Sequence, residues 1–232
     1  MATASAQKIY WTDSTKIQRS DPDGSGIEDI LAANGLRNPI AIALDVNGGK
    51  MYWSSGSPPK IHRADLDGSH REALVTIGLI RPLGIALDLA AGKMYWADGF
   101  WNTPGKIQRA NLDGTGIETL VVADANAPSG VALDIPSGKM YWTDWSTRKI
   151  LRANVDGSEV EDVVTTGSSP SGIVLDLAAR KMYWTEATDQ QSPGRIRRAD
   201  LDGSKVEDII TQGTIQPRGI ALDRTEGKLY WI

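Results

Sequence analysis

The tetrapeptide Lys-Φ-Tyr-Trp, with Φ an Ile, Met or Leu, occurs six times in this chain, its tyrosines falling at Tyr10, Tyr52, Tyr95, Tyr141, Tyr183 and Tyr230. The spacings are 42, 43, 46, 42 and 47 residues. A period in the low forties with no 3.6-residue pattern inside it predicts a β-propeller, one four-stranded antiparallel blade per repeat. The repeats run from residue 8 to the last residue, so the sequence predicts a single propeller domain over 8–232, preceded by leader residues 1–7.

One unit can be read strand by strand. Arg81-Pro82-Leu83-Gly84 reads as a turn, followed by a short apolar inner strand, Ile85–Asp88. Lys93–Asp98, rich in aromatic strand formers, is the second strand, and Lys106–Asn111 alternates as a half-buried third. Asp113-Gly114 closes a hairpin into an outer strand beginning at Ile117. The same order recurs: Asp-Gly pairs stand at 23–24, 67–68, 113–114, 156–157 and 202–203, and inner strands at Ile40–Asp45, Val131–Asp134, Ile173–Asp176 and Ile220–Asp223. Arg19, Arg63, Arg109, Arg152 and Arg198 hold one fixed place in the third strand, in step with the motif carboxylates Asp13, Asp98, Asp144 and Glu186. A charge pair repeated in this way is expected to be structural.

Tyr10-Trp11-Thr12-Asp13 and Tyr141-Trp142-Thr143-Asp144, each followed by an Ile-x-Arg third strand and an Asp-Gly hairpin, resemble the YWTD propeller, the class B repeat of the low-density lipoprotein receptor family. Trp53-Ser54-Ser55 departs by losing the acid, Trp96-Ala97-Asp98 by losing the threonine, and Trp184-Thr185-Glu186 by lengthening the acid. The resemblance implies that the Tyr and Trp pack within and between blades, that the motif acid is structural, and that the protein acts outside the cell or at its surface. The family usually has six blades. Here the strands predicted sum to one more than five blades need and three fewer than six. Edge economy favours five, closed by pairing Ile220–Asp223 with Lys8–Thr12, with a six-bladed or incomplete six-bladed ring as the alternative. Lys228–Ile232 is then surplus, or available for self-association through terminal strands.

Composition narrows the function. The net charge of −4 has both signs interspersed, with no basic stripe for nucleic acid and no apolar run of membrane-spanning length. The chain has no cysteine, which removes disulfides and thiolate metal sites, and residues 1–7 lack the features of a signal peptide. His62 and His70 are expected to stand alone and exposed, and no cofactor is implied. Asp45, Asp88, Asp134, Asp176 and Asp223 end the inner strands before a turn, where capping that turn is the expected role.

Candidate binding residues fall on one face, which carries the loops between second and third strands and the crossings between blades. Phe100, Trp101 and Asn102 lie in one such loop, Trp145 and Arg148 in another. Arg37, Arg81 and Arg218 lie in crossings. The motif tryptophans Trp11, Trp53, Trp96, Trp142 and Trp184 are expected to be buried, and Trp101 and Trp145 exposed. Aromatics beside arginines suit a protein or peptide ligand. The alternatives are a lectin-like surface stacking sugars on Phe100, Trp101 and Trp145, and a hydrolase or lyase at the axial mouth. No base beside a nucleophile is visible in the sequence, so a non-enzymatic binding module is the leading expectation.

Overall fold

A computed structural model describes residues 8–32, 36–100, 103–123, 127–187, 194–212 and 216–232. The described residues form strands and turns, with one short 3₁₀ turn at Ile135–Ser137. The chain falls into two compact units, Met1–Pro82 and Leu83–Ile232. The first holds a three-stranded sheet, β1 (Ile9–Asp13), β2 (Lys16–Ser20) and β3 (Glu28–Ala32), and a four-stranded one, β4 (Pro39–Asp45), β5 (Lys50–Gly56), β6 (Pro59–Asp65) and β7 (Glu72–Val75).

Three four-stranded sheets follow, the first of them starting at the boundary residue Pro82. They are β8 (Pro82–Asp88), β9 (Lys93–Asp98), β10 (Gly105–Asn111) and β11 (Glu118–Ala123); β12 (Pro128–Asp134), β13 (Lys139–Asp144), β14 (Lys149–Asn154) and β15 (Glu161–Thr165); and β16 (Ser169–Asp176), β17 (Lys181–Ala187), β18 (Arg195–Asp200) and β19 (Glu207–Ile210). The hairpin β20 (Ile220–Asp223) with β21 (Lys228–Trp231) ends the chain. All sheets are antiparallel meanders, the β-propeller blades that the repeats predict. The expected pairing of Ile220–Asp223 with Lys8–Thr12 is not formed. Ile220 faces Trp231 and Asp223 faces Lys228, because the chain's own next strand is a short turn away and takes that edge.

The inner strands start earlier than their apolar runs suggest. Pro82, expected in a turn, is the first residue of β8, a position where a missing N–H costs no ladder bond. In β4, β12 and β16 the register slips just after the corresponding proline, between Pro39 and Ile42, Pro128 and Val131, and Pro170 and Ile173. Each slip frees a backbone N–H from the ladder, and the motif hydroxyl takes it up. Thr143 Oγ1 accepts from Gly130 N at 2.8 Å and donates to Ser171 O of the next blade. Thr185 Oγ1 accepts from Gly172 N at 2.9 Å and donates to Arg218 O at 3.0 Å. In the first unit Thr12 donates to Ile40 O at 2.9 Å, and Ser54 Oγ accepts from Ala41 N at 3.2 Å.

This arrangement brings neighbouring inner strands close enough to require glycine. A Cβ on Gly130 would stand 2.5 Å from Ser171 O, and one on Gly172 2.3 Å from Arg218 O. Farther out, the Asp-Gly hairpin glycines Gly68, Gly157 and Gly203 meet the preceding blade. A Cβ on Gly157 would lie 2.3 Å from Leu120 O, at a residue whose φ of +90° already disfavours a side chain. The aspartate of each such hairpin accepts its own turn's N–H, as Asp156 does from Ser158 N at 2.9 Å.

Between blades the core is aromatic and aliphatic. One cluster joins Tyr141, Ile150 and Val164 to Ile173, Met182, Trp184 and Ala199 of the next blade. Another joins Tyr95 and Ile107 to Met140 and Trp142. In the first unit Ile17 packs with Met51, Trp53 and Ala64.

Gly172→Ala should therefore lower stability by about 1–3 kcal/mol through overpacking against backbone. Gly167→Ala, with open space around its Cα and no positive φ, should be neutral or stabilising by about 0.4–1 kcal/mol. Urea midpoints of the two variants check the pair, and equal effects would show that the inner strands are not in close contact.

Candidate functional site

The repeated residues are almost entirely committed to holding the blades together. The third-strand arginines do not pair with the motif acids, as their sequence phasing suggested. Each reaches the glutamate directly opposite on the outer strand: Arg19–Glu28 at 2.8 Å, Arg63–Glu72 at 2.6 Å, Arg109–Glu118 at 2.6 Å, Arg152–Glu161 at 2.8 Å and Arg198–Glu207 at 2.7 Å. Antiparallel register dictates this partner, since cross-strand neighbours share a face. The other end of the guanidinium crosses to the next blade. Arg152 Nη1 donates to Tyr141 Oη and to Leu201 O, both at 3.2 Å, while Tyr141 Oη donates to the same carbonyl. Arg109 does the same with Tyr95 and Val155 O, and Arg19 with Tyr10 and Leu66 O.

The motif acids are turn caps and buried acceptors. Asp144, fully buried, accepts from Ser146 N, Ser146 Oγ and Thr147 N at 2.9–3.1 Å. The longer Glu186 reaches Trp184 Nε1 and Ser168 Oγ, both at 2.8 Å, and Arg197 at 3.3 Å. The inner-strand aspartates cap the following turn as expected: Asp45 takes Gly48 N, Asp88 Ala91 N, Asp134 Ser137 N, Asp176 Ala178 N and Asp223 Thr225 N.

The candidate residues lie outside the repeated motif positions. Phe100, in the loop just after β9, is 47% exposed. Trp101 and Asn102 lie outside the described residues. Arg148 is exposed at φ 56°, its carbonyl accepting from Thr166 N and Oγ1 at 2.8 Å. Arg218 is exposed, its backbone fixed by Ile232 O at 2.7 Å and Thr185 Oγ1. In the first unit Arg37 is exposed and Arg81 half-buried.

Three expectations need correction. Trp145 is half-buried rather than exposed, its backbone N–H donating to Ala127 O at 3.0 Å and holding the loop against the blade. Trp11 is half-buried, whereas Trp53, Trp96, Trp142 and Trp184 are at most 1% exposed. His62 is buried, not exposed: it stacks on Trp53 at 5.0 Å between centroids, and its Nε2 lies 3.1 Å from Ser55 Oγ. Burial, followed by the nearby positive charges of Arg71 and Lys60, pushes its pKa down to about 4. The Trp-His register pair was readable from the repeat, but the burial of an imidazole there was not. His70 is exposed as expected, beside Asp65 at 2.7 Å. Among the described residues no three His, Cys, Asp or Glu side chains converge as a metal site.

A meander of four-stranded blades tied by hydroxyl and guanidinium bridges defines a propeller of the YWTD class. The repeat description "Low-density lipoprotein receptor repeat class B" matches residues 49–89, 92–135, 138–177 and 180–224, and the chain belongs to that family. Mouse nidogen-2 is 35% identical over 68 residues, 28% of this chain and 5% of that protein. Human low-density lipoprotein receptor-related protein 4 is 46% identical over 41 residues, 18% of this chain and 2% of that protein. The chain thus matches only a small fraction of these relatives' length. Among solved structures, a nidogen/laminin complex superposes with a TM-score of 0.81 at 23% identity, over 97% of this chain and 84% of that one. A gluconolactonase from Xanthomonas campestris superposes at 0.78 with 17% identity, over 98% and 79%. Both likenesses are of fold.

Two outcomes follow from these placements. Trp184→Ala should cost about 3–5 kcal/mol, whereas Phe100→Ala should stay within about 0.5 kcal/mol; chemical denaturation distinguishes them. Because His62 has a folded pKa below its unfolded one, its contribution to stability is fully present above pH 6.5 and is lost as pH falls toward about 4. Asp65 and Asp200, each held at about 2 mainly by lysine hydrogen bonds, act in a lower window, as pH falls from 3.8 toward 2. The melting temperature of the wild type should therefore drop between pH 6.5 and 4, and His62→Gln, the residue two other repeats carry there, should flatten that drop. Parallel curves for the two proteins would exclude His62 as the source.

Proposed function

We propose that this chain is a non-enzymatic protein-binding module that recognises its ligand through the loops between second and third strands and the crossings between blades. The observation that carries this reading is the division of labour among residues. The motif Thr, acid and Arg side chains and most of the Tyr and Trp are occupied in bonds or packing within and between blades, while the non-repeated Phe100, Arg148, Arg37 and Arg218 remain at the surface. Exposed aromatics and guanidinium groups on a rigid scaffold are the composition of interface hot spots. In the first unit the contact residues are Arg37 and Arg81. In the second they are Phe100, Trp101, Asn102, Trp145, Arg148 and Arg218, and the sets are tested separately.

A related propeller, nidogen, is known in complex with laminin, which makes an extracellular protein the first class of ligand to try. The likeness to a gluconolactonase is one of fold, and fold does not carry chemistry with it. Surface plasmon resonance against laminin fragments and a panel of extracellular proteins tests the reading. For whichever partner binds, Phe100→Ala with Trp101→Ala, or Arg37→Gln with Arg81→Gln, should weaken affinity by about tenfold or more at unchanged melting temperature, the loss expected when hot-spot contacts are removed. Affinity indifferent to both sets, or a lactonase activity abolished by a chelator, would overturn it.

A further inference from the structure

The tryptophan-bearing face of the blades repeats one charge arrangement, and one blade departs from it furthest. The third strand opens with a cation: Lys16, Lys60, Lys106, Lys149 or Arg195. The second strand ends with an acid, Asp13, Asp98, Asp144 or Glu186, and the outer strand's second residue is Asp29, Asp162 or Asp208 in three blades. The protein's own carboxylates pair with three of these cations. Lys16 meets Asp29 at 2.7 Å, Lys149 meets Asp162 at 2.5 Å and Arg195 meets Asp208 at 3.9 Å, while Lys106 stands opposite Asp98 in register.

The β4–β7 blade keeps the cation and loses both acids. Ser55 lies opposite Lys60 where the others have a carboxylate, and Ala73 lies opposite His62 where three others have aspartate. It also adds a charge: Arg71 replaces the apolar Ile27, Ile117, Val160 and Val206 of the other blades, and its Cζ lies 5.8 Å from the Trp53 ring centroid. Lys60 is half-buried and forms no ion pair with any described residue. Arg71 and Ala73 are exposed, so the edge is open to solvent.

We propose that Lys60, Arg71 and the His62 edge form a binding site for a carboxylate from outside the chain, an acidic side chain of a protein partner. It would take the place that Asp29, Asp162 and Asp208 fill in their own blades. The blade's geometry already accommodates a carboxylate at this position three times over, beside the same strand-three cation. The depressed pKa of His62, owed after burial to Arg71 and Lys60, reflects the same positive field. The site is independent of the loop residues assigned above.

The chain has two histidines, so proton–carbon NMR of the imidazole Cε1 groups gives His62 its own signal, with His70 as internal reference. Titration with an octaglutamate peptide at low salt should move the His62 signal saturably and leave His70 nearly still. Ala73→Asp, which restores the internal carboxylate, and the double variant Lys60→Gln/Arg71→Gln should each weaken binding by about tenfold or more, the scale of losing directed charge contacts at an interface. Unaltered peptide affinity in either variant, or loss of binding in Arg37→Gln/Arg81→Gln instead, would overturn the assignment. So would a sulfated oligosaccharide moving the His62 signal where octaglutamate does not.

Discussion

The hydroxyl at the third motif position carries the weight of this architecture. A propeller blade must hand its inner strand to the next blade at a separation too small for ordinary side chains, yet no backbone ladder runs between blades. Thr143 solves this by accepting the N–H that a register slip releases in its own blade and donating to the carbonyl that the next inner strand presents. Two backbone groups that would otherwise be buried without partners are satisfied by one side chain, which avoids a penalty of about 1–3 kcal/mol for each. The slip, the threonine and the glycine at the slipped position therefore form one device. Gly130 and Gly172 are small because their neighbours' carbonyls lie where a Cβ would be.

A second tie operates farther from the axis and uses longer reach. The tyrosine hydroxyl and the third-strand guanidinium converge on a carbonyl of the next blade, while the same guanidinium is held by a glutamate on its own outer strand. An arginine suits both ends because its planar fork offers donors in two directions. The exposed glutamate end is worth little by itself, as surface pairs generally are. Its contribution is orientation of the buried end, where an unpaired carbonyl would be costly.

Most of this fold was legible in the sequence because repetition marks every structural role several times over. Period, strand order, turn aspartates and the burial of Trp53, Trp96, Trp142 and Trp184 follow from the spacing of Lys-Φ-Tyr-Trp and Asp-Gly. What was not legible depended on contacts outside the repeat's own line. The partner of each arginine is fixed by register with the outer strand, and phase with the motif acid pointed elsewhere. Trp145 reads as a free loop aromatic until its backbone N–H is seen to bond Ala127 O, a residue in the crossing that precedes the blade. The pairing of β20 with β21 likewise reflects a local hairpin outcompeting a contact more than two hundred residues distant in sequence.

Departures from a repeat are informative in proportion to how many occur together. Loss of the acid at Ser55 by itself is easily accommodated, since the serine hydroxyl donates to Pro58 O and meets His62. Loss of the outer-strand aspartate at Ala73, gain of a cation at Arg71 and replacement of the cross-strand residue by His62 fall on the same face of the same blade. Drift under a purely structural constraint would keep charge balanced within the blade, because Lys60 is half-buried and its attraction to a nearby carboxylate is strengthened there. The acids lost at Ser55 and Ala73 and the cation gained at Arg71 move one surface toward positive charge, where three other blades pair the strand-three cation with a carboxylate of their own, and that is what a surface meeting an acidic partner requires.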